Sequence, residues 1–206
     1  MIIRTATTVI LAVSLLCVSA VCFANPVDID VSATVPAILD LNYSIKYFMD
    51  ANNTPIGDDD DFGFGSLTHT LANGSDAGVW FSRKWFTIYM VASTGGQRYQ
   101  IKQTCLGVTS GGNNINNSFV VTPNYSEDDL LGTDPQGPIP GTIGVPSLAV
   151  VSNHVMYTSD TAGEGRVIQG IYSIPNDHAV SGFVPVSLDQ PQGLYDGIVT
   201  IEAVLF

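Results

Sequence analysis

From Val27 the apolar residues fall on every second position, Val27, Ile29, Val31, Ala33 and Val35, with Asp28, Asp30, Ser32 and Thr34 between them. Side chains alternate faces along an extended chain, so this period of two predicts a half-buried strand over 27–35. Pro36 interrupts it, and a second alternation follows at Leu39, Leu41, Tyr43, Ile45 and Tyr47. The stretch 79–92 is apolar on both parities. Trp85, Thr87, Tyr89 and Val91 on one face and Phe86, Ile88, Met90 and Ala92 on the other predict a central strand buried on both sides. Further strands are predicted over 98–106, 118–122, 147–152, 155–158, 166–174, 180–188 and 194–206. Turn-forming runs separate them, among them Gly95-Gly96, Ser110-Gly111-Gly112-Asn113 and Asp189-Gln190-Pro191-Gln192-Gly193. About ten short strands with such punctuation predict an all-β fold, an antiparallel sandwich or barrel. No window outside the N-terminal segment keeps a helical period, and no repeat of fixed length suggests a solenoid.

The first 24 residues read as an address rather than as fold. Arg4 is followed by an apolar run, Val9 to Val18, and then by small residues, the three-part form of a secretory signal. Ser14 and Ser19 interrupt the run and no Lys or Arg cluster follows it, which argues for cleavage over a membrane anchor. The expected organisation is a cleaved signal over 1–24, released at Asn25, and a single sandwich domain over 25–206, with no stable membrane span afterwards and a destination in the periplasm, at the cell surface or outside the cell. A cut after Ala20 is the competing site. Cleavage after Ala24 removes Cys17 and Cys22, so Cys105 becomes the lone thiol. Within a strand pattern it reads as a small buried hydrophobe rather than half of an intermolecular pair. Without disulfides, the core must be held by burial and sheet hydrogen bonds.

The 206 residues carry 19 acidic and 7 basic side chains, a formal net charge of −12. That balance argues against a phosphate backbone as partner, so nucleic acid is not expected. Catalytic chemistry is not expected either. His69, His154 and His178 lack metal-ligand spacing, and no nucleophile elbow, phosphate loop or dinucleotide fingerprint occurs. The densest charge is Asp58, Asp59, Asp60 and Asp61, preceded by Asp50, Asn52 and Asn53. Oxygen ligands at this density suit calcium, although the run lacks the alternating Asp/Asn form of a calcium loop, and four adjacent carboxylates otherwise belong to a solvated loop.

Three short elements carry a family likeness: Val31-Ser32-Ala33-Thr34-Val35-Pro36-Ala37, then Asp61-Phe62-Gly63-Phe64-Gly65, and finally Gly193-Leu194-Tyr195-Asp196-Gly197-Ile198-Val199-Thr200-Ile201. Together they resemble the bacterial spore coat protein U family, which includes subunits of archaic chaperone–usher pili. The resemblance implies an immunoglobulin-like sandwich of about eight to ten strands that lacks one strand, with the missing strand supplied by the N-terminal segment of the next subunit. It also implies a periplasmic chaperone and other pilus subunits as partners. The residues at 27–35 have the physics such a donor needs, since main-chain hydrogen bonds give affinity and alternate side chains fill pockets. On that reading Val27, Ile29, Val31, Ala33 and Val35 form the strand-exchange interface of a filament subunit or adhesion component. The same strand could equally complete its own domain, because burial of its apolar face is as favourable in either case. Two alternatives stand beside this expectation. One is a secreted lectin-like or calcium-dependent module using Asp58 to Asp61 and an exposed aromatic such as Trp80. The other is an outer-membrane barrel ending on the strand that reaches Phe206.

Overall fold

A computed structural model describes residues 39–71, 78–125, 141–163 and 167–205. The expected signal at 1–24 and the alternating strand at 27–35 lie outside the described residues. The chain divides by compactness after Thr34, and every described residue belongs to the second unit.

The described chain is built from strands. In order they are β1 (Asp40–Met49), β2 (Gly57–Asp59), β3 (Thr68–Leu71), β4 (Gly78–Phe81), β5 (Lys84–Ser93), β6 (Tyr99–Cys105), β7 (Thr109–Ser110), β8 (Asn113–Asn114), β9 (Val120–Tyr125), β10 (Thr142–Ile143), β11 (Ser147–Leu148), β12 (His154–Thr158), β13 (Ile168–Ser173), β14 (Val186–Ser187) and β15 (Val199–Leu205). A single 3-10 turn, Asn116–Ser118, is the one helical element among the described residues.

Every strand pair is antiparallel. A large sheet runs β11-β9-β13-β5-β1-β2 and a small sheet β10-β12-β6-β15, while β14-β4-β3 and the β7-β8 hairpin stand beside them. The fold is thus an antiparallel β-sandwich. No sheet closes on itself among the described residues, so the barrel alternative gains nothing here.

The core lies between the large and small sheets. Phe86, Ile88, Met90 and Ala92 of β5 face Tyr99, Ile101 and Cys105 of β6 and Met156 and Tyr157 of β12, all buried. β5 is also buried on its second face at Thr87, Tyr89 and Val91, at most 9% exposed, while Trp85, expected buried on the same face, is half-buried at the strand's start. Gly170 of β13 sits where a Cβ would meet the Met156 methyl, so the missing side chain lets β12 close onto the large sheet. Phe62 and Phe64 cap the core from a segment outside any strand. Phe62 stacks on Tyr172 at 4.5 Å, and Phe64 meets Phe86 edge-on at 5.0 Å. Gly63 between them and Gly65 after them are exposed, and Gly65 has φ +69°, a left-handed backbone that favours glycine.

The run predicted as one strand from Val79 to Ala92 breaks at Ser82-Arg83. The Ser82 hydroxyl donates to the Lys84 carbonyl and accepts from the Lys84 N–H, while the Ser82 N–H leaves for Ile174. This local bonding turns β4 out of the large sheet and pairs it with β3 and β14.

Candidate functional site

β5 turns into β6 through Gly95 and Gly96, both at positive φ. The end of the sandwich where this turn crosses between the sheets holds Asp40 and Ser93, which pair, and Tyr99 opposite Leu205. The first strand of the large sheet and the last strand of the small sheet therefore both border it, and β1 and β15 approach each other along one side of the sandwich.

Along this side the interior is incompletely covered. On β1, Leu41, Tyr43, Ile45 and Tyr47 stand opposite Ala92, Met90, Ile88 and Phe86 of β5. Directly opposite residues share a face, so all four point to the core. The β5 partners are at most 5% exposed and Ile45 is 8%, yet Tyr43 is 63% exposed. On β15, Val199, Ile201, Ala203 and Leu205 stand opposite Cys105, Gln103, Ile101 and Tyr99. The β6 partners are at most 1% exposed, whereas Val199, Ile201 and Ala203 are half-buried and Leu205 is exposed. One strand inward the core is sealed; at β1 and β15 it is open.

The backbone follows the same pattern. β2 covers β1 only at Ile45, Lys46 and Tyr47. Among the described residues, Asp40 to Ser44 pair on the β5 side alone and β15 pairs on the β6 side alone. The result is a seam between β1 and β15 along which inward apolar positions are exposed and, among the described residues, neither lip has a second strand partner. The alternation marks Tyr43 as an ordinary inward residue; it is exposed because β2 reaches only as far as Ile45 along β1, which no local pattern records.

The acidic run lies at the lip of this seam. Asp58 and Asp59 belong to β2, an edge strand, rather than to the solvated loop their charge suggests. Asp58 pairs with Lys46, and Asp59 Oδ2 accepts from Lys84 Nζ at 2.8 Å. The hydrogen bond from Lys84 holds the Asp59 carboxyl below its ordinary pKa. Lys84 also lies over the Tyr47 and Phe86 rings, 4.4 and 4.6 Å from their centroids. Two of the four expected calcium ligands are thus compensated by lysines, while Asp60 and Asp61 are exposed. Among the described residues no group of three or more His, Cys, Asp or Glu is arranged to hold a metal.

Trp80 is not the exposed aromatic that a lectin-like surface needs. It is half-buried against the core and meets His69 edge-on at 5.7 Å. Cys105 is free and buried, and burial pushes its thiol pKa up, in keeping with a core residue. No helix among the described residues is long and apolar enough to cross a membrane. No family model, curated protein or solved structure matches the chain.

Proposed function

We propose that the protein is a structural or adhesive subunit of a bacterial cell-surface filament, exported through its N-terminal signal and assembled by β-strand addition at the β1/β15 seam. One observation carries this reading: core-facing Tyr43 is 63% exposed while its β5 neighbour Met90 is fully buried. An added strand between β1 and β15 supplies partners to the edges that lack a second strand among the described residues and covers Leu41, Tyr43, Ile201 and Ala203. The segment Val27 to Val35 has the matching form, five apolar side chains on one face and no Gly or Pro. Donation to the next copy is a head-to-tail contact, and such contacts extend into fibres when their rotation does not close. A periplasmic chaperone fits the same logic, since an open seam in a subunit awaiting assembly invites wrong pairing.

The test is the mass of the exported protein by light scattering behind a sizing column, wild type against Val31→Asp. Wild type should give a polydisperse, high-mass series and Val31→Asp a single subunit-sized peak, both exported in equal amounts. A wild-type protein that runs only as a monomer overturns the filament reading.

A further inference from the structure

Five Asn-x-Ser/Thr triplets occur in the chain, at Asn42, Asn52, Asn73, Asn116 and Asn124, and those at Asn42, Asn52 and Asn116 lie wholly within the described residues. In a surface loop of an exported protein such a triplet is an acceptor for N-linked glycosylation. A transferase needs two of its groups at once, the Asn amide nitrogen that receives the sugar and the hydroxyl two residues on. The fold treats the three triplets differently.

Two of them have their hydroxyl withheld. Asn42 stands on β1, paired with Val91 of β5, and the Oγ of Ser44 is buried. Asn116 Oδ1 accepts from the Val108 N–H at 2.8 Å, and Ser118 is 5% exposed, its hydroxyl donating to the Val184 carbonyl at 2.7 Å.

Asn52, Asn53 and Thr54 are all exposed, in the turn that joins β1 to β2. The local sequence keeps this turn out of the sheet. Asp50 has φ +55° just after β1 ends. Pro55 has no N–H to give to a ladder, and sheet-like bonding to β1 begins at Ile56, whose N–H donates to the Tyr47 carbonyl at 2.9 Å. The stem of the turn is fixed nonetheless. Arg83 donates to both carboxylate oxygens of Asp50, at 2.6 and 2.5 Å, and Trp85 Nε1 donates to the Asp50 carbonyl at 2.9 Å. Within the turn the Thr54 N–H donates to Asn52 Oδ1 at 3.1 Å, a local side-chain bond that holds the Asn amide and Thr54 in one compact turn. Because the bond falls on the amide oxygen, it draws electron density off the nitrogen and makes a proton of Nδ2 easier to lose. Among the described residues Nδ2 itself carries no hydrogen bond.

Resting on the export half of the reading above and not on strand addition, we propose that Asn52 is an N-glycosylation site, modified after export by a membrane transferase from a saccharide carried on a lipid diphosphate. Nδ2 attacks the anomeric carbon of the saccharide. The C–N bond forms as the bond from that carbon to the diphosphate oxygen breaks, the lipid diphosphate leaves with the electron pair, and the amide gives one proton to a base of the transferase. Nothing is oxidised or reduced. The β2 pairing at Ile45 to Tyr47 separates this turn from the uncovered stretch Asp40 to Ser44, so a glycan on Asn52 leaves the seam open to an added strand.

The experiment is mass spectrometry, intact and on fragmented peptides, of the protein recovered outside the cytoplasm of its own cells, as wild type, Asn52→Gln, Thr54→Ala and Thr54→Ser. Wild type should carry a saccharide-sized increment that fragmentation places on Asn52. The increment should vanish in Asn52→Gln and Thr54→Ala and survive in Thr54→Ser. An exported chain of unmodified mass, or an increment that maps to any other residue, overturns the site and leaves export standing. A chain that still begins at Met1 inside the cell overturns export and the site together.

Discussion

The Tyr172 hydroxyl donates to Gln103 Oε1 at 3.3 Å, a hydrogen bond between the large and the small sheet inside an otherwise apolar core. Gln103 is fully buried, and its amide donates to the Ala149 carbonyl at 2.9 Å. Burial pushes the Tyr172 hydroxyl pKa up, so it remains a donor over the working pH range.

Removing one member of this pair strands the other. Tyr172→Phe should cost about 1–3 kcal/mol, the usual penalty of an unsatisfied buried acceptor. Gln103→Met leaves the Tyr172 hydroxyl unpaired and should cost a similar amount, while the Ala149 carbonyl still accepts from Val151 N–H. The double variant should cost less than the two singles together, because it leaves neither orphan. Urea unfolding of the three variants checks this, and strict additivity would show that the bond contributes nothing.

Two glycines should respond differently to the same methyl group. A Cβ on Gly170 would stand 2.6 Å from the Met156 methyl, the free end of a flexible side chain that can swing aside. A Cβ on Gly197 would collide with the Gly107 carbonyl, which is backbone and held by the neighbouring Thr109/Asp196 bridge. Gly197→Ala is expected to destabilise by roughly 1–3 kcal/mol, in the range of overpacked sites, and Gly170→Ala by clearly less. Paired melting curves decide the order.

Acid should weaken the fold in two stages. Burial lowers the pKa of His154 below its ordinary 6.5, an effect that a contact with the Val145 backbone only partly offsets, and its Nε2 is buried without a partner. The unfolded chain then binds a proton that the folded chain refuses, so stability falls as pH drops below about 6.5 and toward the folded-state value. Asp50 and Asp59 are held below 3.8 by hydrogen bonds from Arg83 and Lys84, so their contribution persists above 3.8 and is lost beneath it. His154→Gln should flatten the first stage and leave the second. An unchanged profile in that variant assigns the first stage to another group.

Much of this architecture is written in local pattern. The two-sided apolar run of β5 gave its central place because both faces must be covered, and the alternation of Ile168, Gly170 and Tyr172 against Gln169 and Ile171 marks β13 as half-buried. What pattern could not supply depends on neighbours distant in sequence. The acidic run becomes strand β2 because Lys46 and Lys84 lie where they neutralise two of its carboxylates. The apolar stretch at 180–188 shrinks to Val186–Ser187 because Val184 N–H bonds to Asn117 instead of to a sheet. The seam could not be foreseen at all from β1 alone, since Tyr43 and Ile45 look alike until β2 is seen to cover one and not the other.

Cys105 faces Val199 across the β6/β15 ladder and is 1% exposed. A thiol reagent therefore reaches it only when the last strand lifts away, and the raised pKa slows the reaction further by keeping the thiolate scarce. The labelling rate of this one sulfur is accordingly a clock for the breathing of the seam. On the strand-addition reading proposed above, it should run fast in a subunit with no strand added beside β15 and slow down when one is clamped alongside, so that the thiol would report whether a given subunit is waiting or built in.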